Sequence, residues 1–222
     1  MPIDVVAECR DLVRSFPTGS GRVDALKGID ASFRSSVVTA VVGPSGSGKS
    51  SLLRILAGLD RPTQGSAIVG DVDVADASNR QLRALRRRVG YVFQRPADNF
   101  VSFLTLEEHL RATARLRRAT VDVPAILGPL GLEHRAAHRP AELSGGEQQR
   151  AAFAQAVVGD PLLVIADEPT AELDSATAEG LLDLLKQLPE RGLTVVMSTH
   201  DPAAMAIADH QIHLHHGEVE RR

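Results

Sequence analysis

An apolar, β-branched run at residues 37–42 passes directly into Gly43-Pro44-Ser45-Gly46-Ser47-Gly48-Lys49-Ser50-Ser51. That succession constrains the fold more than any other stretch of the chain. Glycines at this spacing let consecutive backbone N–H groups curl around an anion. The segment at 49–59 carries Leu52, Leu53, Ile55 and Leu56 at helical spacing, so its positive end faces the same anion. The pattern G-x-x-x-x-G-K-S predicts a phosphate-binding loop between a buried strand and a helix, with Lys49 reaching the β- and γ-phosphates and Ser50 a magnesium ion. A glycine-rich turn without a ligand is the other reading of the pattern; the order strand, loop, helix argues against it.

Three further apolar runs end in polar residues. Residues 161–166 lead to Asp167 and Glu168, with Pro169 fixing the turn. Strand alternation sends the two carboxylates in different directions, so Asp167 suits a contact to magnesium and Glu168 the orientation or deprotonation of an attacking water. Two acids there also fit a cap on the next helix. Residues 193–197 lead to Ser198-Thr199-His200-Asp201, which puts His200 at a strand end where it fits either a γ-phosphate contact or a structural role. Residues 89–93 form another strand candidate, closed by Gln94. A neutral amide at a strand's carboxyl end suits a magnesium ion or its water, or a loop cap.

Leu143-Ser144-Gly145-Gly146-Glu147-Gln148-Gln149-Arg150 precedes an alanine-rich helix at 151–158, with Ser144 as its N-cap. This is a second anion site, about a hundred residues and a helical insertion beyond the first loop. It therefore points to a nucleotide held by another molecule.

The 222 residues are 43% hydrophobic, enough for a sizeable core, and their net charge of −3 indicates neither a nucleic-acid surface nor an acidic tail. No apolar run approaches a membrane span, and Met1-Pro2-Ile3-Asp4 lacks a leader pattern, so a soluble, intracellular chain is expected. Cys9 is the single cysteine and reads as core. Scarce aromatics argue against a base-stacking platform for single strands. Residues 5–9 and 29–33 read as short antiparallel strands around a polar turn at 16–22, in which Phe16 is either a partly exposed ring for a purine or an ordinary loop residue. The arginines at 83–88 read as a solvated helical face. Residues 104–132 read as a helical insertion whose apolar positions include Leu106, Leu110 and Leu116. The histidines at 210–216 fit a terminal hairpin better than a metal site.

Together these motifs resemble the nucleotide-binding subunit of an ATP-binding cassette (ABC) transporter, over the whole chain and most specifically at LSGGEQQR. The resemblance implies an α/β P-loop NTPase core with an antiparallel β subdomain and a helical subdomain at about 95–157, all within one domain, 1–222. It implies that Phe16 stacks on adenine, that residues 43–51 are the Walker A loop and that Gln94 is the Q-loop glutamine. It further implies that Ser144, Gly145, Gly146 and Glu147 belong to the signature, that residues 162–168 are the Walker B strand, that Asp174 closes the D-loop and that His200 is the switch histidine. Family subunits sandwich two ATP molecules head to tail between one Walker A loop and the other's signature. The expected cofactors are thus ATP and magnesium, held by Ser50, Gln94 and Asp167. The expected partners are a second copy or a homologous ATPase subunit and separate transmembrane permease subunits at the cytoplasmic face of the cell membrane, with no nucleic acid. The wording GPSGSGKSSLLRILAGLDRPTQG is most similar to the lipoprotein-release and macrolide-export class, whose usual EPTGNLD is replaced here by Glu168-Pro169-Thr170-Ala171-Glu172-Leu173-Asp174. An ABC ATPase driving envelope remodelling or signalling through a membrane partner carries the same motifs.

Overall fold

The computed structural model describes residues 5–19 and 21–220. Met1 to Asp4, the stretch without a leader pattern, and Ser20 of the predicted turn lie outside the described residues. The chain opens with two long strands, β1 (Val5–Thr18) and β2 (Gly21–Arg34), followed by β3 (Val38–Val42), α1 (Lys49–Leu56), β4 (Gln64–Val69), β5 (Val72–Asp73), α2 (Asn79–Arg87) and β6 (Val89–Val92). Helices then dominate: α3 (Leu106–Arg117), α4 (Val123–Leu127) and α5 (Gly145–Val157), with short 3-10 turns between them. The remainder is β7 (Leu163–Asp167), α6 (Ser175–Gln187), β8 (Val195–Thr199), α7 (Pro202–Ala206), β9 (His210–His215) and β10 (Glu218–Val219).

Two sheets result. One is antiparallel, in the order β2-β1-β4-β5, and the other runs β10-β9-β3-β8-β7-β6, parallel from β9 to β6 with β10 antiparallel at its edge. Strands β3, β7 and β8 are buried along their whole length, as expected of parallel strands covered on both faces. Their residues divide by parity. Val41, Ile165 and Val196 face a core shared with α1 and the antiparallel sheet, whereas Ala40, Val164, Ala166, Val195 and Met197 face Phe153 of α5 and Leu181 and Leu185 of α6. A third cluster, from Leu106, Leu110, Leu127, Leu132, Ala154 and Val158, holds the helices between β6 and β7 together. Cys9 lies in the first core, where burial pushes its thiol up to about 12.

Three local expectations change. The opening strands are not short: their pairing continues to Thr18 opposite Gly21, so Phe16 is a strand residue opposite Val23 and not part of a turn. Backbone pairing persists there although the side chains at 21–24 are exposed, which removes the alternation that marks a strand in sequence. The helical stretch at 104–132 is broken, since Arg118 takes a left-handed φ of 58° and Asp122 starts a new helix by accepting from the Ala125 N–H. Leu116, expected among the apolar positions, is 65% exposed because α3 turns that side outward. The terminal histidines form β9 and the turn to β10.

Strand β6 and helix α5 approach closely at Gly90, where a Cβ would stand 2.3 Å from the Ala156 carbonyl oxygen of α5. Gly90→Ala should therefore lower the melting temperature by about 5 °C in scanning calorimetry. An unchanged value would contradict this contact.

Candidate active site

The loop between β3 and α1 is shaped by its neighbours. Gly48 precedes α1 at φ 103°, and a Cβ on it would meet the Ala25 carbonyl of β2 at 2.4 Å, so only glycine fits. Gly46, at φ 79°, has open space where its side chain would be. No side chain caps α1, which leaves its positive end to the cavity in front of it. The loop is also tied to distant segments: the Gly217 N–H donates to the Ser47 carbonyl (3.1 Å), and the Lys27 N–H to the Gly217 carbonyl (2.8 Å).

This cavity, about 320 Å³, brings Ser45, Gly46, Gly48, Lys49, Ser50 and Ser51 together with Gln94, Glu168 and His200. Lys49 is nearly buried, and its Nζ donates to the Gly43 and Pro44 carbonyls (2.8 and 3.2 Å) while pairing with Glu168 Oε1 at 3.1 Å. Glu168 Oε2 lies 2.9 Å from Nδ1 of His200, whose ring is on the exposed rim. Glu168 leaves the strand at φ 47°, a conformation that costs a non-glycine residue about 1–2 kcal/mol and turns it away from Asp167. Asp167 is buried and accepts from Ser50 Oγ at 3.1 Å. Gln94 sits two residues beyond the end of β6 on the exposed wall.

Other expected residues lie elsewhere. Gly43 and the buried Ser47 support the loop from behind, where a Cβ on Gly43 would meet the Leu214 carbonyl at 2.2 Å. Phe16 does not line the cavity; its half-exposed ring carries the Arg14 guanidinium 4.4 Å above its centre. Ser144, Gly145, Gly146 and Glu147 are also outside it. Ser144 caps α5 as expected, but the helix starts at Gly145, so the glycine pair forms its first turn and does not precede it. Gly146 lacks a Cβ where Thr177 would stand 2.6 Å away, and Asp174 accepts from the N–H and hydroxyl of that same Thr177. The cap of α6 and the start of α5 are thereby neighbours. Sequence reasoning passed over Ser198, which accepts from the Glu168 N–H (2.9 Å) and donates to Asp167 Oδ1 (2.5 Å). Its signal was available, as a hydroxyl closing an apolar run like the one that Asp167 closes.

Glu147 completes the box on α5. The Ser144 N–H, and then the Arg135 guanidinium at 2.8 Å, pull its carboxyl from 4.5 down to about 2. A depressed carboxyl stabilises the fold above its ordinary pKa and loses that contribution as pH falls toward the folded value. The stability gap between the native chain and Glu147→Gln, measured by urea unfolding, should hold near pH 6 and narrow steadily below pH 4.5. A gap constant down to pH 3 would contradict the assignment.

With this geometry in hand, the similarity to known proteins is specific. Residues 26–171 match the ABC transporter family. The chain is 40% identical over 220 residues to the macrolide export ATP-binding/permease protein MacB of Escherichia coli K12 and equally to that of Shigella sonnei. The match covers 96% of this chain and 34% of each relative, so the chain spans about a third of their length. Among solved structures, the dimeric MJ0796, a bacterial ABC transporter cassette, superposes with a TM-score of 0.89 at 34% identity, covering 97% of both chains. A second MJ0796 dimer, in a post-hydrolysis state bound to ADP and Pi, matches equally well. The cbiO1 subunit of Clostridium perfringens, part of the cbiONQ transporter complex, gives 0.83 at 27% identity over 98% of this chain and 88% of its own. The chain belongs to the ABC transporter family, as an ATP-binding cassette ATPase.

Proposed function

We propose that the cavity at Lys49 takes ATP with magnesium, that Glu168 and His200 handle the attacking water, and that the Ser144 helix start serves the nucleotide of a second subunit. One arrangement carries this reading: a glycine loop, a lysine, a carboxylate and a histidine from three strand ends converge on one cavity. Lys49 Nζ is held by the Gly43 and Pro44 carbonyls and by Glu168, so a phosphate in the loop would compete for it, and where it displaces Glu168 the carboxylate is released to act as a base. His200 then holds Glu168 from the opposite oxygen and keeps it aimed. The Ser50 hydroxyl, the Asp167 carboxylate and the Gln94 amide are oxygen donors of the kind magnesium takes, and Ser50 and Asp167 already touch. Bound there, the ion would neutralise charge on the phosphate oxygens.

The start of α5 lies outside the chain's own cavity, which favours a head-to-tail pair in which Ser144, Gly145, Gly146 and Glu147 face the partner's phosphates. Asp174, beside them through Thr177, would sit at the same interface. Phe16 would supply an apolar face for the base. Residues 95–157 are proposed as the helical subdomain that carries the signature. No helix among the described residues is long and apolar enough to cross a membrane. From the family resemblance we place the cassette at the cytoplasmic face of the membrane, driving a permease of the exporter or lipoprotein-release type. We place that permease on a separate chain, as in the lipoprotein-release ATPases whose wording the sequence resembles.

Glu168→Gln should cut ATP turnover by a factor of about 10² or more while ATP binding persists, and should yield a closed dimer in size-exclusion chromatography with ATP. Normal turnover would refute the assignment. Tagged chain recovered from detergent-solubilised native membranes should bring down a multi-span protein that raises the ATPase rate. Recovery of only soluble, ribosomal or DNA-associated proteins would remove the permease from the proposal.

A further inference from the structure

We propose that Ser198 is a positioning residue for hydrolysis, fixing the metal-side acid and the water-side acid relative to each other. The inference rests on the roles given above to Asp167 and Glu168. Ser198 is fully buried on β8, and the parallel register pairs it directly with Asp167 on β7. Its hydroxyl has one proton and donates it to Asp167 Oδ1 at 2.5 Å. The remaining acceptor capacity takes the Glu168 N–H at 2.9 Å. The backbone N–H can only donate, which leaves the single hydroxyl proton for Asp167.

The position of Glu168 makes this contact more than a core hydrogen bond. The β7–β8 ladder ends at the pair Asp167 and Ser198, and Glu168 then turns out of it at φ 47°. A carbonyl across the ladder no longer receives its N–H; the Ser198 side chain does. The strained turn that aims the Glu168 carboxylate at Lys49 and His200 is thus held at its amide by Ser198. Asp167 Oδ1 is shared between the Ser198 and Ser50 hydroxyls. If Ser50 turns toward a metal ion, Ser198 is the donor that still fixes Asp167. One hydroxyl therefore sets both carboxylates, without touching substrate.

The test compares Ser198→Ala, Ser198→Thr and Ser198→Cys in the native and Glu168→Gln chains, with melting temperature as the folding control. Ser198→Ala should lower kcat by about tenfold. The affinity for a fluorescent ATP analogue in the absence of magnesium should stay within roughly twofold, because Lys49 and the loop are untouched. Ser198→Thr, which keeps the hydroxyl, should recover kcat to within roughly threefold, with Ser198→Cys between the two. In Glu168→Gln, Ser198→Ala should add a smaller loss than in the native chain, since the part that acts through Glu168 is already gone while the part that acts through Asp167 remains. Native kcat in Ser198→Ala, equal damage from Ala and Thr, or a full tenfold penalty retained in Glu168→Gln would each overturn the proposal. If the Ala variant does not fold, native kcat in Ser198→Cys overturns it and a partial loss supports it. Normal turnover in Glu168→Gln alone would instead bring down the underlying role of Glu168.

Discussion

The in-register parallel pairing of β3, β8 and β7 is the constraint from which the rest of the molecule follows. Val42 lies opposite Thr199 and Asp167 opposite Ser198, so three strands end at the same level. Each strand end then opens on one edge: the glycine-rich loop after Val42, the two acids at Asp167 and Glu168, and His200 after Thr199. A slip of one residue would turn Asp167 into the apolar face occupied by Ala166 and send Ser198 away from it. Full burial on both faces is what forbids such a slip, so the apolar core and the site geometry are set by the same register.

Much of this edge was readable in the sequence, because continuous apolar runs followed by a glycine at 43 and by polar residues at 167 and 198 mark buried strands and their ends. The loop, Gln94, Glu168 and His200 converge as their motifs imply. The hairpin was less legible. Its outer half is held by backbone hydrogen bonds between exposed side chains, and such pairing leaves no alternation in the residues. The break in the insertion was hidden for a different reason, since a left-handed Arg118 has no sequence signature of its own. Ser198 was visible as a residue but not as a partner, because its meaning depends on a register across 31 positions of chain.

The charge arrangement in the cavity is economical. Lys49 is nearly buried, and an isolated ammonium there would be expensive; two carbonyls and the Glu168 carboxylate satisfy its three protons. The other Glu168 oxygen meets Nδ1 of His200 on the solvent side at 2.9 Å. A polyanion entering the loop would compete for that lysine, which makes the carboxylate's freedom depend on occupancy of the loop.

The bonds from Gly217 to Ser47 and from Lys27 to Gly217 have a consequence for how the molecule is made. The glycine-rich loop near residue 47 is braced by a turn about 170 residues further along the chain, and that turn follows β9, which pairs with β3. During synthesis, therefore, the loop emerges from the ribosome early yet lacks its brace until residue 217 has followed it. The finished loop appears only when almost all of the sheet has been translated, and a nascent chain cannot present it before its partner strands exist.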